Sequence, residues 1–200
     1  MKKFVLNSIM VFAIVMVVIN LVRVDGTVKD VELCAKIDMY DTLDDLRKNS
    51  DLVVIGTKVR EEKPTIVYDG DVILYAYTLS DFVVSKALDS KKEVNLENKK
   101  IKILENEFYD ETQNANYHVA GYNKMLSGES YILYLSYAEE NNWYIPTGVV
   151  AGKIPINEKE KSLTTSDREI IKEVENITKQ VKKEYNFKEL KKEIKVPLRR

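Results

Sequence analysis

Leu52-Val53-Val54-Ile55-Gly56-Thr57-Lys58-Val59 is the stretch on which the fold depends. It is rich in β-branched residues, lacks a helical period, and is bounded by Ser50-Asp51 and the polar Arg60 to Pro64, which reads as a strand. Gly56 marks a bend or a close backbone approach. Downstream, Thr65 to Tyr68, a turn at Asp69-Gly70-Asp71 and Val72 to Leu79 form a hairpin pattern. Ile73, Tyr75, Tyr77 and Leu79 make one apolar face, and the pattern resumes at Phe82 and Val84 with its parity shifted. That slip predicts a bulge near Ser80-Asp81, a device that bends a long strand into a barrel.

Outward from this core, Ile101 to Glu105 is a further short strand, and Glu107 to Tyr117 reads as a polar loop. Tyr117 to Tyr122, Ser130 to Tyr137 and Trp143 to Pro146 supply more strands, the last two joined at Asn141-Asn142. Gly148 to Ile156, with Gly152 and Pro155, reads as a closing edge strand. Before the barrel, Asp41 or Thr42 caps a short helix ending near Asn49, with Leu43 and Leu46 on one face. After it, Ser166 and Glu169 have capping-box spacing, and Ile170, Val174, Ile177, Val181 and Tyr185 recur at helical intervals. The polar face of that helix mixes Lys172, Lys179, Lys182 and Lys183 with Glu173, Glu175 and Glu184, unlike a uniformly basic lipid-binding helix. It suits a packed lid over the barrel, with an exposed interaction helix as the alternative. The basic stretch from Lys188 to Arg200 reads as a frayed or weakly helical tail.

The chain opens differently. Phe4 to Val22 is a nineteen-residue apolar run behind Lys2 and Lys3, interrupted only by Asn7, Ser8 and Asn20. At about 1.5 Å per helical residue it reaches roughly 28 Å, close to a bilayer's hydrocarbon thickness. A transmembrane anchor is expected, with a cleaved signal peptide as the alternative, since Val24-Asp25-Gly26 is a passable cleavage site. Either reading leaves the lysine pair in the cytoplasm and exports the remainder. The expected organisation is an anchor or signal peptide at 1–23, a stalk at 24–40, a barrel domain at 41–156, and a helix with a basic tail at 157–200.

Composition narrows the chemistry. Residues 1–156 carry 18 Lys and Arg against 23 Asp and Glu, and residues 157–200 carry 13 against 9. An acidic folded part argues against nucleic acid as a partner. The single cysteine, Cys34, excludes an intramolecular disulfide framework and a multi-thiolate zinc site. The single histidine, His118, excludes multi-histidine metal sites and reads as a surface or satisfied residue rather than a catalytic one. No phosphate-binding glycine motif is present. Glu105, Glu107, Asp110 and Glu111 precede Asn114 and Asn116, but their order does not match a calcium loop, so a solvated loop is expected. No cofactor, metal site or catalytic residue is assigned. Aromatic residues are the remaining signal: Tyr131, Tyr134, Trp143 and Tyr144 lie in adjacent strands and are candidate ligand-binding residues, with core or cross-strand packing as the alternative.

Ser50-Asp51-Leu52-Val53-Val54, the strand ending Phe82-Val83-Val84-Ser85-Lys86-Ala87-Leu88, and Gly128-Glu129-Ser130-Tyr131-Ile132-Leu133-Tyr134-Leu135 resemble uncharacterised exported bacterial domains. Over residues 41–156 their pattern is similar to the OB-type barrel of netrin modules and tissue inhibitors of metalloproteinases. The inhibitors' activity does not carry over, because it uses an N-terminal cysteine and Cys34 is internal. The expected fold is mainly β: a small antiparallel OB-like barrel with a short N-terminal helix and a C-terminal amphipathic helix, behind one transmembrane helix. The expected function is a non-enzymatic, membrane-anchored extracytoplasmic binding module of the bacterial cell envelope, with an envelope protein or glycan as partner. The alternative is an exported hydrolase whose acidic residues converge only in the fold.

Overall fold

The computed structural model describes residues 27–92, 95–157, 160 and 163–194. The run Phe4 to Val22 lies outside them, as does the tail from 195. Among the described residues no helix is long and apolar enough to cross a membrane.

Five strands close a barrel. They are β2 (Leu52–Glu61), β4 (Val72–Ser90), β5 (Lys100–Glu105), β8 (Ser130–Ala138) and β9 (Trp143–Pro146). β2 pairs antiparallel with β4 and β8, and β4 pairs antiparallel with β5. β5 meets β9 in parallel, and β9 returns antiparallel to β8, which completes the ring. The order is consistent with an OB-like barrel.

Period-two alternation places Leu52, Val54, Phe82, Val84, Ile101, Ile103, Tyr131, Leu133 and Leu135 in the interior. The alternate residues Val53, Ile55, Ile132 and Tyr134 are also buried, in a second cluster on the outer wall. Burial on both faces explains why Leu52 to Ile55 and Tyr131 to Leu135 are continuous apolar runs rather than alternating ones. Gly56 is required by contact: a Cβ there would stand 2.2 Å from the Val83 carbonyl oxygen and 2.5 Å from the Phe82 ring.

Helices cover the outer wall. α1 (Leu43–Asn49) starts at Thr42, whose hydroxyl accepts the Asp45 N–H, and buries Leu43 and Leu46 as expected. α2 (Arg168–Glu184) lays Ile177 and Val181 on Val53, Ile55, Ile132 and Tyr134, and α3 (Phe187–Glu193) adds Phe187 and Leu190 to the same cluster. The stripe of α2 is therefore packed, against the barrel wall rather than across its mouth. The Arg47–Glu184 ion pair at 2.6 Å and the Leu43 N–H on Gln180 Oε1 at 3.0 Å tie α1 to α2.

Several local expectations need correction. The N-cap of α2 is Asp167, whose Oδ1 accepts from the Glu169 and Ile170 N–H groups, so the capping box from Ser166 does not form. The tail from Lys188 is helical as far as Glu193. Within the stretch expected as a stalk, Lys29–Leu33 is a strand, β1, parallel to β7 (Ala115–Val119). The expected loop at 107–117 is a hairpin of β6 (Glu107–Asp110) and β7, so β1, β7 and β6 form a small second sheet. Of the expected edge strand, only β10 (Lys153–Pro155) pairs, with β8. The predicted bulge at Ser80-Asp81 lies on the opposite strand: Val59 is the unpaired residue, facing the Asp81/Phe82 step, while β4 bulges further on, at Ser85 and Leu88. β4 keeps its register with β5 through Ser80 and Asp81, so the apparent change of parity came from polar side chains at inward positions.

Phe82 and Leu133 are fully buried, on the two strands that flank β2. Changing either to Ala should lower unfolding free energy by about 3 kcal/mol in urea denaturation; a loss under about 0.5 kcal/mol would place that side chain outside the core.

Candidate functional site

The inward positions of β2, β4 and β5 run from apolar to polar at one end of the barrel: Leu52 and Val54 are followed by Lys58, Phe82 is preceded by Ser80 and Thr78, and Ile101 and Ile103 lead to Glu105. Lys58 has no exposed surface. Its Nζ donates to Glu105 Oε1 at 2.8 Å, Glu61 Oε2 at 2.7 Å and the Met125 carbonyl at 2.6 Å, which uses all three ammonium hydrogens. Glu105 also accepts from the Ser80 hydroxyl, the Met125 N–H and, at 3.2 Å, the Tyr122 hydroxyl. A charge taken from water is tolerable only with such full pairing.

A second buried lysine adjoins the first group. Lys153 Nζ stands 4.7 Å over the Tyr122 ring, donates to the Asn123 carbonyl and lies 3.9 Å from Glu160 Oε1. Burial pushes the Lys153 ammonium below its ordinary range and the Glu160 carboxyl above its own. Tyr131 donates to Glu160 Oε2 at 2.7 Å, and burial raises its phenol.

His118 lies opposite Glu107 in the β6–β7 pair. Its Nδ1 is 3.4 Å from Glu107 Oε2 and 3.0 Å from the Tyr122 carbonyl, and its Nε2 is 3.2 Å from Asp30 Oδ1. The Glu107 hydrogen bond, against the opposing effect of burial and with help from Asp30, raises the imidazole pKa to about 9. Burial alone would raise the Glu107 carboxyl, but the hydrogen bonds from His118 and the Lys124 N–H outweigh it and hold the group low. His118 is thus a buried, satisfied imidazolium with both nitrogens engaged.

These groups partner one another inside the protein. A general acid or base must reach a proton on its substrate, whereas Lys58, Glu105 and Tyr122 are fully buried among their own partners. Among the described residues no cluster of three or more His, Cys, Asp or Glu is arranged to hold a metal ion. The acids of 105–111 are drawn into the fold: Glu105, Glu107 and Asp110 are buried, and Asp110 accepts from the Tyr68 hydroxyl at 2.5 Å.

The four aromatic candidates do not converge. Tyr131 points into the barrel and Tyr134 to its outer wall beneath α2, because odd and even positions of β8 face opposite ways. Trp143 and Tyr144 are half-buried on different faces of β9: Trp143 meets Tyr77 at 5.3 Å, and Tyr144 meets Tyr137 at 4.9 Å. Tyr144 and Tyr137 line a shallow cavity of about 470 Å³ with Leu52, Leu96 and Asp51. Lys92 Nζ lies 5.3 Å over the Tyr137 ring there.

The hairpin expected over Thr65 to Leu79 is a ribbon formed by β3 (Thr65–Asp69) and the first part of β4; what sequence reasoning missed is its exposure. It leaves Val72, Leu74 and Tyr75 exposed at 65%, 60% and 55%. The signal was present in Val72 to Tyr77, where apolar residues occupy both parities without a second layer in sequence to cover them. No protein-family model matches the chain, and no curated protein matches it.

Replacing Lys58 with Met should strand Glu105 and cost about 3–5 kcal/mol, whereas the double change Lys58→Met, Glu105→Leu should recover much of that loss. Equal unfolding midpoints for the single and double variants would show that the pair is not coupled. His118 predicts a pH dependence. Its folded pKa exceeds the unfolded value of 6.5, so its contribution is complete below pH 6.5 and lost as pH rises through about 9. Stability should fall by on the order of 2 kcal/mol across that window, and His118→Gln should flatten this part of the profile.

Proposed function

We propose that this protein is a non-enzymatic binding module of the bacterial cell envelope, held at the membrane by Phe4 to Val22 and displaying an OB-type barrel outside the cell. One observation carries the reading. The lysines, glutamates and histidine that could act as catalysts are used in buried pairs, while exposed Val72, Leu74 and Tyr75 collect on the ribbon, which leads at its base to the half-buried Trp143. Such a distribution is what a contact surface needs: a rigid body with its charged groups paired inside and apolar and aromatic groups at the surface. The resemblance of residues 41–156 to netrin-type barrels supports the same reading, since that architecture serves as a scaffold for surface recognition. The partner is an envelope protein or glycan, and Trp143 and Tyr144 are the aromatic candidates that remain accessible to it.

The location follows from the charge order, with Lys2 and Lys3 preceding the apolar run. Protease added to intact protoplasts should degrade the chain beyond residue 30; full protection would reverse the orientation. Trp143 is the only tryptophan, so its emission reports directly on a ligand. Titration with soluble cell-wall glycan fragments should give a saturable change that Tyr77→Ala, which removes the ring beside Trp143, weakens by about tenfold, the loss of one stacking contact. A flat titration would remove glycan and leave a protein partner.

A further inference from the structure

The β3–β4 ribbon continues past the barrel, and its two faces differ. Cross-strand neighbours share a face. Ile66 with Ala76 and Tyr68 with Ile73 lie on one side, where Tyr68 donates to Asp110 of β6. Thr65 with Tyr77, Val67 with Tyr75 and Asp69 with Val72 lie on the other, which continues at its base into Trp143 through the Tyr77 contact. Leu74 is the extra residue of a bulge between the Val67 and Tyr68 pairs. The outer face and tip expose Val72, Leu74 and Tyr75 together.

The small sheet records where this tip lies relative to the N-terminal segment. β6 runs alongside the ribbon, from Glu107, whose carbonyl accepts the Thr78 hydroxyl, to Asp110 beside Tyr68. Asp110 pairs with Ala115, and Ala115 pairs with Lys29, the first residue of β1. Lys29 and the end of the ribbon are thus at the same end of the molecule, and Val28, just before Lys29, is exposed too. Only six residues, Arg23 to Val28, separate the apolar run from that point. Fully extended, they span at most about 20 Å, and the five-residue β3 itself extends about 17 Å.

We infer that the outer face of the β3–β4 ribbon, with Val72, Leu74 and Tyr75, rests in the interfacial layer of the same bilayer that holds Phe4 to Val22. The inference rests on the anchored reading given above. A short tether leaving the same end as an exposed apolar tip brings that tip to the lipid surface, and tyrosine and tryptophan favour that interface because they are apolar with one polar group. The turn carries Asp69 and Asp71, so the attraction is apolar and needs no anionic lipid. The ribbon then fixes the tilt of the barrel instead of leaving it to swing on its tether.

The test uses the full chain in phosphatidylcholine vesicles with plain or brominated acyl chains. Trp143→Phe removes the native fluorophore, and Leu74→Trp or Val72→Trp places a new one on the ribbon at a site exposed enough to accept it. Lys183→Trp, near the C-terminal end of α2 beside α1, is the control at the far end of the barrel. Brominated lipid should reduce ribbon emission about twofold and leave the control unchanged, as for side chains seated in the interface. Unquenched emission at both 72 and 74, in chains that stay with the vesicles through an alkaline wash, would overturn the ribbon contact and leave anchoring intact. Chains released by that wash would overturn both. A blue shift that grows with protein density, without lipid quenching, would assign the face to a second copy and overturn the lipid contact.

Discussion

Strand β8 is the constraint on which the fold depends, because it pairs with three strands and is buried on both faces. It pairs with β2 and β9 to close the ring and accommodates β10 alongside. Its odd residues fill the interior and its even residues support the helices. Two-sided burial of this kind makes one strand part of two clusters, and each apolar side chain withdrawn from water contributes about 1.5–3 kcal/mol. The helices are therefore not an accessory to the barrel: Ile177 and Val181 complete a layer whose other half is the outer surface of β2 and β8. Asp51 strengthens the junction by accepting the Tyr137 N–H at 2.9 Å, an interaction that lowers its own pKa.

At one end of the ring the same alternation brings in charge instead of hydrocarbon. Lys58 and Glu105 occupy positions that an apolar pair could fill at no greater cost, and buried ion pairs often stabilise less than such a replacement. What they provide is connection. The Lys58 ammonium and the Glu105 carboxylate together hold Met125, Ser80, Tyr122 and Glu61, so groups from distant parts of the chain are fixed around two side chains. Lys153 and Glu160 extend this order toward the segment that leads into α2. Asp81 does similar work on the outside of β4, held by Arg60, Lys100 and Lys102; burial would raise its pKa, but the hydrogen bonds from Lys102 and Lys100 overcome that and lower it.

The paired interior contrasts with a bare ribbon. Nineteen residues make β4 far longer than its barrel partner β5, and its first six, Val72 to Tyr77, pair only with β3. Exposed Val, Leu and Tyr side chains cost solubility unless something covers them. The small sheet reinforces the ribbon from one side through the Tyr68–Asp110 hydrogen bond, which leaves the other side available. The exposed face of the ribbon lies at the end of the molecule where the N-terminal strand β1 begins.

By itself the sequence determined what local interactions decide. Thr42 caps α1, Leu43 and Leu46 face inward, the parity of Leu52 to Lys58 places alternate residues on opposite faces, and the period of Ile170 to Val181 defines the buried side of α2. The steric limits of a backbone, the pleat and the helical turn act over a few residues, so these features are legible in a few residues. Lys58 and Glu105 could be read as inward by parity alone, but not as partners, because 47 positions separate them. Nor could parity show that His118 finds Glu107 and Asp30, or that Lys29 to Leu33 adds to β7. Only the tertiary structure decided these, because a strand edge or a buried charge is satisfied by whichever group the fold brings to it, and that choice has no local period.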